Sequence, residues 1–143
     1  MDPNEEYDRL RDEERATKNS LDDAYNDYER TQDKISRLKS VRRVLYECCD
    51  SFKDVKKTVK RIVRDDYDWK GVNYNLFSSY SSSLQDANDD YYRNLDAARD
   101  SINDEITRLE NETYHQEGLI GYLRALLNSL ANKIQNVSNT LFD

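Results

Sequence analysis

Few of the 143 residues could do chemistry. His115 is the single histidine, set between Tyr114 and Gln116 in a polar stretch. One imidazole cannot supply a His-cluster metal site, and no nucleophile and base stand near it in sequence to make a triad. It is expected on the surface. Cys48 and Cys49 are adjacent, so they cannot staple distant segments, and on a helix one turns inward while its neighbour stays semi-exposed. The carboxylate pairs Asp65/Asp66 and Asp89/Asp90 have the proximity that acid–base work needs, but among 29 acids such neighbours arise by chance. The three glycines, Gly71, Gly118 and Gly121, form no phosphate-cradling loop. There is no HExxH, CxxC or EF-hand loop. Neither an enzyme nor a cofactor or metal is expected.

Charge is the remaining chemical signal. Residues 35–64 hold 10 bases and 3 acids, whereas residues 1–34 hold 6 and 12, and residues 65–143 hold 6 and 14. A basic run of that density suits a phosphate backbone. The whole chain carries −7, however, and would repel one, so nucleic acid is not an expected partner.

The elements that must carry these residues are helices. Three glycines and one proline leave too little punctuation for hairpins or βαβ units. Apolar or small residues recur at spacings of three and four through Tyr7, Leu10, Thr17, Leu21, Ala24, Tyr28, Thr31, Ile35, Leu38, Leu45, Cys49, Phe52, Val59 and Val63, missing at Glu14, Arg42 and Lys56. A neighbouring track of Val41, Val44, Cys48, Val55 and Ile62 is expected to widen this seam into a core-facing side. The second half reads Phe77, Leu84, Tyr91, Leu95, Ala98, Ile102, Ile106 and Leu109, then Ile120, Leu123, Leu127, Leu130, Ile134, Val137 and Leu141. Between the halves, Asp65, Asp66 and Asp68 disfavour helix, Gly71 permits a reversal and Asn73 is a good N-cap. The expectation is one all-α domain over residues 1–143, a long antiparallel helical hairpin resembling a coiled coil. Its first helix spans about 4–65, its turn 66–72 around Trp69-Lys70-Gly71, and its second helix about 73–141. Gly118 and Gly121 mark the weak point at which the second helix can kink.

With the turn centred near residue 69, position i is expected opposite roughly 138 − i. The basic segment then faces Asp86, Asp89, Asp90, Asp96 and Asp100, which accounts for it as a device that sets pairing. Toward the chain ends both helices are acidic, and the apolar balance fails. Met1, Tyr7, Leu10 and Ala16 face a far richer stretch, which contains Leu119, Ile120, Leu123, Leu126, Leu127, Leu130, Ile134, Val137 and Leu141. Burying each Leu or Ile is worth about 1.5–3 kcal/mol, so another helix is expected there, with Gly118 and Gly121 allowing close approach. Acidic flanks favour a basic or mixed partner over self-association. A membrane-bound segment would carry Lys/Arg flanks, which are scarce here, and stable membrane insertion is not expected. The N-terminal residues lack an apolar run, so no cleavable signal peptide is expected.

Two long helices flanking Trp69-Lys70-Gly71, followed by Asn73-Tyr74-Asn75-Leu76-Phe77 and a late Gly118-Leu119-Ile120-Gly121 segment, resemble the small WXG-superfamily proteins of Gram-positive type VII secretion loci. The closest resemblance is to the YwqH-like family, related to the LXG-associated Lap proteins, and it covers essentially the whole chain. Trp69, Gly71, Asn73 and Phe77 match its turn, and Gly118 to Leu123 match its late segment. The resemblance implies a non-catalytic adaptor or targeting chaperone. It would bind the helical N-terminal domain of an LXG-type toxin, with a second small helical protein as a further partner, and present the complex to the type VII apparatus. It also implies a protein that is cytoplasmic before export and then secreted with its cargo. The alternative from the residues alone is a self-assembling structural coiled coil. The family's Tyr-x-x-x-Asp/Glu export string is met at Tyr25/Glu29, Tyr46/Asp50 and Tyr92/Asp96, all mid-helix, which points to a signal carried by a partner.

Overall fold

No Gly or Pro interrupts residues 4 to 70, and the start of the first helix is well specified. Pro3 occupies the first helical position, where its missing N–H costs nothing. Asp2 caps it, accepting from the Asn4 backbone N–H at 3.1 Å, while the Asp2 carbonyl accepts the Glu6 N–H at 2.9 Å. Glu5 and Glu6 place negative charge on the positive end of the helix dipole. The computed structural model describes residues 2–64 and 72–143. It consists of α1, Pro3–Arg64, and α2, Val72–Phe142, packed against each other as an all-α helical hairpin. The expected turn at Trp69-Lys70-Gly71 lies outside the described residues. Asn73, expected as the cap of the second helix, falls just inside it. Phe77 is half-buried on α2. Helix α2 continues through Gly118 and Gly121 without interruption.

The two helices meet in two compact units. Unit 1 joins Met1–Ser36 with Arg108–Asp143, and unit 2 is Arg37–Thr107. In both, sheltered residues recur at alternating spacings of three and four, the heptad positions a and d. Along α1 this row is the predicted one, including its three polar members Glu14, Arg42 and Lys56, each of which is half-buried. Leu10, Ala24, Ile35, Cys49 and Val59 are its buried apolar members. Threonines fill tight places. Thr17, Thr31 and Thr113 are buried, and each hydroxyl donates to a carbonyl of its own helix, from Thr17 to Glu13 at 2.7 Å, Thr31 to Asp27 at 3.0 Å and Thr113 to Glu110 at 2.6 Å. What such a side chain offers the seam is its methyl group.

Register departs from expectation. In unit 1, residues 28 and 117 and residues 31 and 116 are bonded across the helices; in unit 2 the same holds for 42 and 103 and for 56 and 89. Position i therefore lies opposite about 146 − i, not 138 − i, roughly two helical turns from a register counted off Trp69. Midpoint counting assumes a turn symmetric about the indole. Side-chain pairing decides the register instead.

Two expected tracks in unit 2 are also corrected. The sheltered row of α2 there is Ser81, Gln85, Asn88, Tyr92, Leu95, Arg99 and Ile102, which runs on in phase to Ile106 and Leu109. Leu84, Tyr91 and Ala98, read as seam residues, sit one position before it and are exposed. The second α1 track does not widen the core over Val41, Val44, Cys48 and Val55, which are exposed, and the Ile62 side chain lies outside the described residues. The physical reason is on α1. Arg42 and Lys56 occupy its seam positions, and their charged heads require the polar residues of α2 opposite them.

Candidate partner-binding surface

Unit 1 is built around Ala24, Ile120 and Leu123, with Leu21, Tyr25 and Tyr28 packed against them. Gln116 adds a polar layer, its Nε2 donating to Thr31 Oγ1 at 2.9 Å. Its buried Oε1 has no partner. Tyr28 donates to Glu117 at 3.2 Å, and the Arg124 guanidinium bonds the Tyr25 hydroxyl. These residues line an open cleft with Glu29, Ile120 and Gly121. Tyr25, Glu117 and Arg124 are all heptad e positions, the side on which two antiparallel helices bring e against e. At the N-terminal end Glu14, at a seam position, holds Arg11 at 3.2 Å and Lys18 at 2.9 Å. The bond from Lys18, together with the charges of Lys18 and Arg11, keeps its carboxyl below the usual range, and burial opposes them.

The eleven residues expected to receive a partner divide three ways. Ile120, Leu123 and Leu130 are buried in unit 1 and belong to the hairpin's own seam. Leu126, Leu127, Ile134, Val137 and Leu141 are half-buried; all but Leu126 lie on the a/d row, where the first turns of α1 provide only Tyr7, Leu10 and Glu14 as cover. Gly118, Leu119 and Gly121 are exposed. A thin stripe does cover much of the broad face, since Leu10 is 2% exposed and the Glu14 side chain 13%.

What stays open in unit 1 is the opposite flank of α2. Leu119, Tyr122 and Leu126 form a row at heptad positions g and c, with Leu119 49% and Tyr122 64% exposed. Tyr122 was not among the expected site residues, although its place three after Leu119 and four before Leu126 was readable. Gly118, at f, borders this row, whereas Gly121, at b, lies on the side of the cleft. A methyl group built at Gly118 or at Gly121 would meet nothing within 4 Å, so neither glycine serves packing inside the chain.

Unit 2 shows the same division of sides. On its e side, Arg42 donates to Asn103 at 3.2 Å and Asn103 to the Tyr46 hydroxyl at 3.3 Å. Lys56 pairs with Asp89 at 3.0 Å and lies 5.5 Å from the Tyr92 ring centre. Arg99 lies over Tyr46 at 5.7 Å. Phe52 closes this part of the seam against Tyr91 and Tyr92, with ring centres 4.7 and 6.5 Å away. Cys49 is buried and Cys48 exposed, as helical spacing predicts. His115 is on the surface.

Among the described residues, no cluster of three His, Cys, Asp or Glu side chains could hold a metal, and no helix is long and apolar enough to cross a membrane. Residues 12–132 match the model of the family described as YwqH-like, and the chain belongs to that family. No curated protein and no solved structure matches it.

Proposed function

We propose that this YwqH-like protein is a non-catalytic adaptor or targeting chaperone, which binds the helical N-terminal domain of an LXG-type toxin for type VII secretion. The observation that carries the reading is the open row of unit 1. Leu119 and Tyr122 are exposed beside Gly118, where an added methyl group would meet nothing within 4 Å. Each glycine inside a helix costs about 1 kcal/mol relative to alanine. With no internal packing to offset that cost at Gly118, its use lies in the approach of a second molecule. A helix laid along Leu119, Tyr122 and Leu126 could come close to the backbone at Gly118 and would shelter an exposed leucine and tyrosine.

In this role the protein works by covering and aligning helices. The toxin domain gains a partner for its apolar stripe, a second small helical protein can join the assembly, and the complex reaches the secretion apparatus as one body. Co-expression with the toxin's N-terminal domain tests the reading. A stable complex is expected, and Leu119→Asp with Tyr122→Asp should abolish it while circular dichroism stays unchanged, because both sites are exposed. Retention of the complex by that double variant would overturn the proposed surface. A partner-independent dimer of the isolated chain by light scattering, disrupted by the same substitutions, would favour a self-assembling coiled coil instead.

A further inference from the structure

Unit 2 leaves several apolar side chains outside its own seam. The α2 row facing α1 includes Ser81, Gln85, Asn88 and Arg99, and the Asn88 Nδ2 is buried without a partner. Meanwhile Val41, Val44, Cys48 and Val55 of α1 are exposed, as are Leu84 and Tyr91 of α2. All six occupy heptad positions g or c. The e positions of the two helices meet on the side of Tyr46 and Asn103. In an antiparallel pair the g rows then share the opposite side, so the six form one face of unit 2. Val41, Val44, Val55, Leu84 and Tyr91 are each between 48% and 53% exposed, which leaves a core half made.

The charges around this face identify its occupant. On the outer f positions that rim it stand Glu47 and Asp54 of α1 and Asp90 and Asp104 of α2, all exposed. Two bases of α1 share these rows, Arg37 at c and Arg61 at f, beyond the two ends of the valine row, and the other exposed bases lie elsewhere, with Lys39, Lys53 and Lys60 at e and Arg43 and Lys57 at b. We propose that the g/c face of unit 2 is a second docking site, separate from the row in unit 1, and that it takes an amphipathic helix of another chain with Lys or Arg bordering its apolar stripe. A second copy of this chain is disfavoured because two-fold pairing would set the acidic rims against each other. The spacing of the six residues, at three, four and seven along α1 and at seven along α2, fits a third helix laid between them.

Cys48 lies in the centre of this face and Cys49 is buried, so the native thiols report occupancy. The probes are two synthetic helical peptides with the same Leu/Ala heptad stripe, one flanked by Lys and one by Glu. Maleimide labelling of Cys48 is followed in the full chain. The Lys-flanked peptide should slow labelling at least tenfold at concentrations where the Glu-flanked peptide has no effect, and 0.5 M salt should weaken the protection. Val44→Glu with Val55→Glu should remove it with helicity retained, and Leu119→Asp with Tyr122→Asp should leave it in place. Equal protection by both peptides, or protection indifferent to Val44→Glu and Val55→Glu, would overturn the proposal. So would a self-dimer that shields Cys48 without peptide, or protection lost with the unit 1 variant. The unit 1 surface is read separately by toxin co-purification, so either site can fail alone.

Discussion

Lys56 Nζ stands 3.0 Å from Asp89 Oδ1 across the seam of unit 2, and Lys56 belongs to the row where an apolar residue is the rule. Its stem packs as part of the row, and its head leaves toward the e side to reach Asp89 and the Tyr92 ring. One residue thus joins packing to register. Counted from a turn centred at Trp69, Lys56 would have faced roughly residue 82.

A double-mutant cycle on this pair should return a coupling of about 0.5 kcal/mol, since the side chains are 33% and 48% exposed and the pair is partly screened. Lys56→Glu alone should lower the urea midpoint. Adding Asp89→Lys should restore part of the loss but not all, because the swap returns the ion pair without the cation over Tyr92. A coupling of zero would show that the observed register does not govern stability.

Glu14 sets a pH dependence whose sign is determined. Its carboxyl titrates below its ordinary value of 4.5 in the folded chain, chiefly through the Lys18 bond. The ionised form is favoured by folding, so its contribution is complete above about 4.5 and is lost as pH falls through the lowered folded value. Melting temperatures of the wild type and Glu14→Gln should therefore differ at neutral pH and converge in acid. Curves that stay parallel down to pH 2 would remove Lys18 and Arg11 as the cause.

Within the expected partner stretch, burial separates two leucines. Leu130 is 3% exposed and Leu119 is 49% exposed. Leu130→Ala should cost about 2–4 kcal/mol by chemical denaturation, and Leu119→Ala should stay within about 0.5 kcal/mol. If the two cost the same, the phase of the α2 seam is wrong.

Much of this architecture is legible in the residues, for reasons that differ along the chain. The α1 row could be read through Glu14, Arg42 and Lys56 because its spacing of three and four persists across the polar positions. The α2 row of unit 2 could not, since Leu84, Tyr91 and Ala98 outrank Gln85, Tyr92 and Arg99 in hydropathy although the latter face α1. Hydrophobic periodicity finds the most apolar face of a helix, and here that face is not the one used for pairing. Ile120, Leu123 and Leu130 lie on the apolar row expected of α2, and how far a thin α1 stripe shelters them depends on packing that one helix's pattern does not tell. Leu119 and Gly118, by contrast, remain on the open side.

The adjacent thiols of Cys48 and Cys49 give unit 2 a built-in clock. One sulfur reacts at the pace of the reagent, whereas the other must wait for the pair of helices to come apart locally. The ratio of the two alkylation rates on a single molecule therefore times how often this stretch breathes, without any engineered label.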